Sequence, residues 1–266
     1  MDEWRELNRA WWDERVPLHV GSDFYDVEGF RAGRATLEPF ERRLAGDVTG
    51  LQVAHLQCHF GLDSLGWARL GASVVGLDFS QPAVDAANGL AAELGLDARF
   101  VCADVYDAPE ALGVDAFDLV YTGLGALNWL PDLDRWASAV AALIRPGGRL
   151  LLSEFHPFSW VFSFEGLTVE YDYFVDGTLE DGAQGSYAAL DAATEHNGTI
   201  EFAHPMGEIV TSIVRSGLEI TVLEEYDHTL YQRLPHLVRA DDGTYRQPEG
   251  SPRLPLMFAL VARKPG

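Results

Sequence analysis

From Leu51 to Phe155 the chain alternates between short apolar runs and helix-patterned stretches, and nothing else in its 266 residues constrains the fold as much. "LQVAHLQC", "SVVGLDFS", "ARFVCADV", "FDLVYTG" and "RLLLSEF" read as strands, and "LDSLGWARLG", "QPAVDAANGLAAELG" and "LDRWASAVAALIRPGG" read as helices between them. The punctuation agrees. Gly71 suits a helix end, Ser80 an N-cap with Pro82 in the first turn, and Pro146 with a glycine pair stops the last helix. Such alternation builds a parallel sheet with helices on both faces. Unbroken apolar strands fit it, because parallel strands are covered on both sides. Further on, "PMGEIVTSIVRSG" reads as a helix, and "LEITVLEEYDH" and "LPLMFALVARK" read as late strands forming an antiparallel hairpin at a sheet edge. Residues 1–50 are expected as a helical cover, with Trp4, Leu7, Trp11 and Trp12 at helical spacing and an irregular stretch from Val16 to Gly33, broken by Pro17, Gly21, Gly29 and Gly33. Residues 51–266 are expected as one α/β domain, with an insertion of weak period at about 156–205.

In an open parallel sheet, ligands bind beyond the carboxyl ends of the strands. The residues found there are therefore the site candidates. After the first strand come Gln57, His59 and Gly61; after the second, Asp78 and Phe79; after the third, Asp104 and Val105; after the fourth, Thr122 and Gly123 in "TGLGALNW". Asp78 lies about twenty residues past the first turn, where a carboxylate accepts hydrogen bonds from both hydroxyls of a ribose. Phe79 offers an apolar face for an adenine ring. Asp104 can accept from the adenine amino group, and the Val105 backbone can donate to a ring nitrogen. These residues describe an adenosine pocket, as in NAD or S-adenosylmethionine. A pyrophosphate needs bare backbone at close approach, and His59 and Phe60 obstruct it. S-adenosylmethionine has no pyrophosphate, and one close-packing glycine, Gly61, suffices.

Composition narrows the class. The formal net charge of −22, with Lys264 the sole lysine, repels phosphate backbones and argues against nucleic acid as a partner. No apolar run approaches the roughly 20 residues of a membrane span. The charged start "MDEWRELNRAWWDERVP" lacks the apolar core of a signal peptide, so a cytoplasmic location is expected. Cys58 and Cys102 both sit in apolar runs, and each is expected as a small buried hydrophobe. No His or carboxylate pair stands at ligand spacing, so no metal is expected.

The stretches "VAHLQCHFGLDSLGWARLGASVVGLDFS", "FVCADVYDAP", "FDLVYTGLGALNWLPDL" and "IRPGGRLLLSEFHP" together resemble the class I S-adenosylmethionine-dependent methyltransferases. The end of the chain, from "PMGEIV" to "LPLMFALVARK", resembles the end of the same fold. The "LQCHFG" turn is similar to that of a bacterial subgroup acting on small molecules. The resemblance implies a Rossmann-like α/β sheet of seven mostly parallel strands with the last antiparallel. It also implies S-adenosyl-L-methionine as cofactor, S-adenosyl-L-homocysteine as product, and methyl transfer to oxygen or nitrogen of a small molecule. Two features depart from the family pattern. His55 replaces the usual acidic residue of the first strand, and Gln57 and His59 replace two glycines.

Methyl transfer needs alignment more than a base. If a base is used, His156 in "SEFHP" is the candidate, following the fifth strand on the ligand side. Arg15 and Tyr25 of the cover, and His196 and His204 beside Tyr171 and Tyr173, are candidates for the lid and acceptor pocket. Arg15 would pair with a carboxylate of cofactor or acceptor. The other readings are a protein that binds S-adenosylmethionine without methyl transfer, as a sensor or cyclase, and an NAD-dependent oxidoreductase. The sequence sets no oligomeric state.

Overall fold

The computed structural model describes residues 3–163, 167–174 and 177–266. The remaining residues of the expected cover and insertion, 1–2, 164–166 and 175–176, lie outside that description. Three helices come first: α1 (Glu3–Val20), α2 (Val27–Arg31) and α3 (Pro39–Ala45). The alternating unit follows as β1 (Gln52–Leu56), α4 (Leu62–Arg69), β2 (Ser73–Asp78), α5 (Gln81–Leu94), β3 (Ala98–Cys102), α6 (Ala108–Leu112), β4 (Phe117–Thr122), α7 (Leu133–Leu143) and β5 (Ile144–Phe155). Beyond it lie the hairpin β6 (Thr178–Asp181) with β7 (Thr199–Phe202), then α8 (Met206–Arg215) and β8 (Glu219–Tyr226). Three two-residue strands, β9 (His228–Thr229), β10 (Val238–Arg239) and β11 (Tyr245–Arg246), make a small satellite sheet before β12 (Met257–Arg263).

The main sheet has seven strands in the order β3-β2-β1-β4-β5-β12-β8. The first five pair in parallel, and β12 runs antiparallel to both β5 and β8. This is the expected Rossmann-like sheet with its last strand reversed. The strand order turns back between β1 and β4, so the crevice for a ligand opens over their carboxyl ends.

The period-2 alternation of the strands feeds two cores. One holds Leu56, Leu77, Val120, Leu150 and Leu260 against Trp136 and Val140 of α7 and Ile209 and Ile213 of α8. The other holds Val53, Val74, Leu119 and Val261 against Trp67 of α4 and Leu37. Trp67 and Trp136 are both fully buried, and burying a large apolar side chain contributes at least about 1.5–3 kcal/mol.

Three local expectations need correction. Helix α1 does not stop at Pro17 but runs to Val20, because that last turn buries Val16 and His19. Helix α7 ends at Leu143, ahead of the expected proline, since Ile144 is already extended at φ −72°, ψ 127°. Cys58 is buried, but Cys102 is exposed, because the edge strand β3 turns alternate residues to solvent.

Candidate active site

Over the carboxyl ends of β1 to β4 lies a partly open cavity, at the position where open parallel sheets bind ligands. Its floor is Gln57, His59, Asp78, Phe79, Ala103, Asp104 and Val105, and its far wall is Leu124, Gly125 and Ala126. Its roof is aromatic: Trp4 and Trp12 of α1, Tyr25, Trp129 and Tyr187.

The floor depends on a strained turn. Gln57 and His59 both have positive φ, 54° and 51°, which costs a non-glycine residue roughly 1–3 kcal/mol. Two bonds hold that conformation. The His59 backbone N–H donates to Asp78 Oδ2 at 2.7 Å, and Gln57 Nε2 donates to the Ala126 carbonyl at 2.8 Å. Gly61 then opens α4 at φ 82°, and a Cβ there would stand 2.6 Å from the Phe100 ring. Gly61 shapes the turn beneath the cavity and does not line it.

Asp78 closes β2 with Oδ1 accepting from the Ser80 N–H at 3.0 Å. Burial raises its carboxyl to about 6, against the pull of those backbone donors. Asp104 reaches the cavity wall, but Oδ1 caps the Tyr106 N–H at 2.9 Å and Oδ2 pairs with Arg5 of α1 at 2.6 Å. His55 is buried under the floor against Ser64 Oγ at 2.7 Å, and burial pushes its imidazole down to about 3.

A second cavity lies behind the Leu127–Trp129 turn. It is lined by Asn128, Glu154, Phe155, Trp160, Tyr173, Glu201, Phe202 and His204 among others. Glu154, at the end of β5, ties the two cavities together. Its carboxylate accepts from the backbone N–H groups of Gly125 at 2.6 Å, Ala126 at 2.9 Å and Leu127 at 3.2 Å. Glu201 on β7 accepts from Asn128 Nδ2 at 2.7 Å, and burial raises its carboxyl. His204 points Nε2 at the Leu130 carbonyl, 2.7 Å away.

Several expected site residues lie elsewhere. Thr122 and Gly123 do not reach the first cavity, because the loop continues past β4 and presents Leu124 to Ala126 instead. His156 lines neither cavity: Nδ1 accepts from the Phe158 N–H at 3.1 Å and Nε2 lies 2.9 Å from Glu225. The chain leaves the sheet in a helical turn at Pro157–Val161, which makes His156 its cap. Arg15 is fully buried and faces no cavity. It donates to the carbonyls of Gly185 at 2.9 Å and His196 at 2.8 Å and to Asn197 Oδ1 at 3.2 Å. The His196 ring is exposed, and Tyr171 is exposed while Tyr173 lines the second cavity.

Sequence reasoning missed Trp129, Tyr187, Asn128, Glu154 and Glu201 as wall residues. The "ALNW" stretch after β4 was the available signal for two of them. Among the described residues, no group of three or more His, Cys, Asp or Glu is placed to hold a metal ion, and no helix is long and apolar enough to cross a membrane.

The profile of a family described as a methyltransferase domain matches residues 53–148. A ubiquinone biosynthesis O-methyltransferase of Cupriavidus pinatubonensis is 32% identical over 158 residues, 58% of this chain and 57% of that protein. Another of that name, from Xanthomonas euvesicatoria pv. vesicatoria, is 30% identical over 175 residues, covering 64% and 66%. The chain therefore spans less than two thirds of these relatives' length. Among solved structures, an S-adenosylmethionine-dependent methyltransferase from Mesorhizobium loti superposes with a TM-score of 0.63 at 25% identity, over 85% of this chain and 96% of that one.

Proposed function

We propose that the chain is a class I S-adenosylmethionine-dependent methyltransferase, transferring a methyl group from S-adenosylmethionine to oxygen or nitrogen of a small molecule. The observation that carries the reading is the cavity over β1–β4, where an acidic strand end, the apolar Phe79 and Val105 and an aromatic roof converge at the sheet's turning point. The donor set fits that cofactor. Asp78 offers carboxylate oxygens to ribose hydroxyls. The Gln57 Oε1 atom is buried on the cavity wall with no partner among the described residues, a ready acceptor for an ammonium group. Phe79 and Val105 supply apolar walls for adenine. When bound, the cofactor supplies an electrophilic methyl on sulfur, and an aromatic roof suits that cation.

The second cavity is assigned to the acceptor. The Gly125–Leu127 turn that separates it from the first is fixed by Glu154, so the two ligands would meet across a rigid edge. An in-line displacement needs that alignment above all. Glu201, which lines this cavity with its carboxyl raised by burial, supports a role in taking up a proton there, and His156 lines neither cavity. The proposed setting is the cytoplasm, and the charge of −22 supports a small-molecule acceptor over nucleic acid.

Calorimetric titration with S-adenosylmethionine and with NAD tests the cofactor. S-adenosylmethionine binding alone is expected, and NAD binding alone overturns the reading. Release of S-adenosylhomocysteine across a library of small hydroxyl and amine metabolites then finds the acceptor. Cofactor binding with no turnover on any candidate would favour a sensor or cyclase.

A further inference from the structure

The lid, the insertion and the first turn meet in one chain of hydrogen bonds. His19, at the end of α1, is completely buried. Its Nε2 lies 2.6 Å from Ser186 Oγ in the insertion, and its Nδ1 lies 2.8 Å from His59 Nε2 in the turn after β1. The His59 ring is packed by Trp12 and Phe60, with centroids at 5.0 and 4.7 Å, and lines the cavity. Both imidazoles are neutral near pH 7. Burial, with Arg15 nearby, lowers His19 to about 4, and burial beside His19 lowers His59 well below its usual value.

A neutral chain of two imidazoles and a hydroxyl carries one ring proton per histidine, so it has two polarities. In one, Ser186 donates to His19, His19 donates to His59, and His59 is left with an N–H at Nδ1. In the other, every bond reverses, and His59 is left with a bare Nδ1. Ser186 decides between them. Its oxygen already accepts the Ala188 backbone N–H at 3.3 Å. If it also accepted from His19, its own proton would be buried with no acceptor among the described residues, at a cost of about 1–3 kcal/mol. Donation to His19 gives every side-chain polar atom of Ser186 and His19 a partner.

We infer that Ser186 and His19 are positioning residues that fix His59 as an N–H donor into the cofactor cavity, aimed at the carboxylate of the methionine tail. This rests on the proposed cofactor. It gives the turn, which lacks the usual glycines, a neutral imidazole donor in place of bare backbone. It also makes tail binding depend on the lid and insertion being docked, since each supplies one link. Gln57 Oε1, an acceptor, then complements His59, a donor, as ammonium complements carboxylate in an amino acid.

The test uses the full chain and two ligands, S-adenosylhomocysteine and 5′-methylthioadenosine, which keeps the adenosine but lacks the amino-acid tail. Nitrogen-15 spectra of the imidazoles in the ligand-free protein should place the ring proton of His59 on Nδ1. Ser186→Ala and His19→Phe should weaken S-adenosylhomocysteine about tenfold, as loss of one charge-assisted hydrogen bond does. Methylthioadenosine affinity should stay within about twofold in the same proteins, which also reports that the cavity has kept its fold. A proton on Nε2 of His59 overturns the inference, and so does an equal loss for both ligands. If the unmutated chain binds neither ligand, the cofactor reading fails with it.

Discussion

The floor and the roof of the cofactor cavity are built by opposite means. The floor is fixed within the sheet, by carboxylates at strand ends that grip backbone N–H groups of their own and neighbouring turns. Asp78 holds His59 and Ser80, and Glu154 holds Gly125 to Leu127. The roof is fixed at long range, by side chains of α1 that cross to the insertion. Asn8 exchanges two hydrogen bonds with Ile200, as a strand neighbour would, at 2.7 and 2.8 Å. Glu14 accepts from the backbone of Glu195 and His196, and Arg15 grips four further groups of that segment. The floor persists while the sheet does. The roof leans on both the insertion and the floor, through Arg5 to Asp104 and His19 to His59, but the insertion carries most of its clamps.

Removing the roof's main clamp should produce the largest effect. Arg15→Ala leaves the Gly185 and His196 carbonyls and Asn197 without their donor inside a buried site. Breaking such a site costs about 3 kcal/mol. The comparison requires the loss to be local. Limited proteolysis should open the 185–200 segment, while amide exchange in β1, β2 and β4 stays slow. Uniform acceleration across the sheet would mean that floor and roof are one cooperative unit.

On the floor, the matching change is Asp78→Ala. It removes the acceptor proposed for the ribose and also the bond that holds His59 at positive φ. Cofactor affinity should fall about 100-fold, equivalent to about 2.7 kcal/mol, by calorimetry. A loss within about threefold would place the ribose elsewhere.

The same division explains what could be read from sequence. The floor is local, so strand ends, turn residues and helix caps betray it: Asp78, Gly61 and Ser80 all stand where pattern and turn chemistry put them. The roof is not local. Arg15 looks like a ligand-binding arginine because its partners in the insertion lie 170 or more positions away. His156 does follow the fifth strand, but the turn at Pro157–Val161 uses its ring as a cap and keeps it out of both cavities. Thr122 and Gly123 lie outside the cavity for a related reason: strand termini are predictable, but how far the loop runs before it faces the ligand is set by Glu154, 28 and 29 residues after the Ala126 and Gly125 it holds, through backbone bonds with no sequence signature.

Gly61→Ala sharpens the floor's side with a smaller effect. It forces a left-handed alanine, and a methyl against the Phe100 ring. Together these should cost about 2 kcal/mol. A fall in Tm is expected with the α1–insertion contacts intact, the mirror image of Arg15→Ala.

The smallest expected effect has two signs in one residue. Asp78 sits at about 6 when folded and near 3.8 as a free side chain, with burial the main cause. The folded state therefore holds this proton more tightly than the unfolded chain. Its contribution to stability is fully present below about 3.8 and is lost as pH rises through about 6. Ribose binding runs the other way, because hydroxyl donors need the ionised carboxylate. Between pH 7 and pH 5 the ionised fraction falls about tenfold for a group at about 6, and cofactor affinity should fall with it. Calorimetry across that range, beside Asp78→Asn as the non-titrating reference, separates this group from the other acids. A slope that persists in Asp78→Asn would assign it to another group, and a flat profile in the native chain would mean that the carboxylate is not the ribose acceptor. Opposed slopes for folding and binding would show the floor giving up stability, near neutral pH, for a charge it uses only when the cofactor arrives.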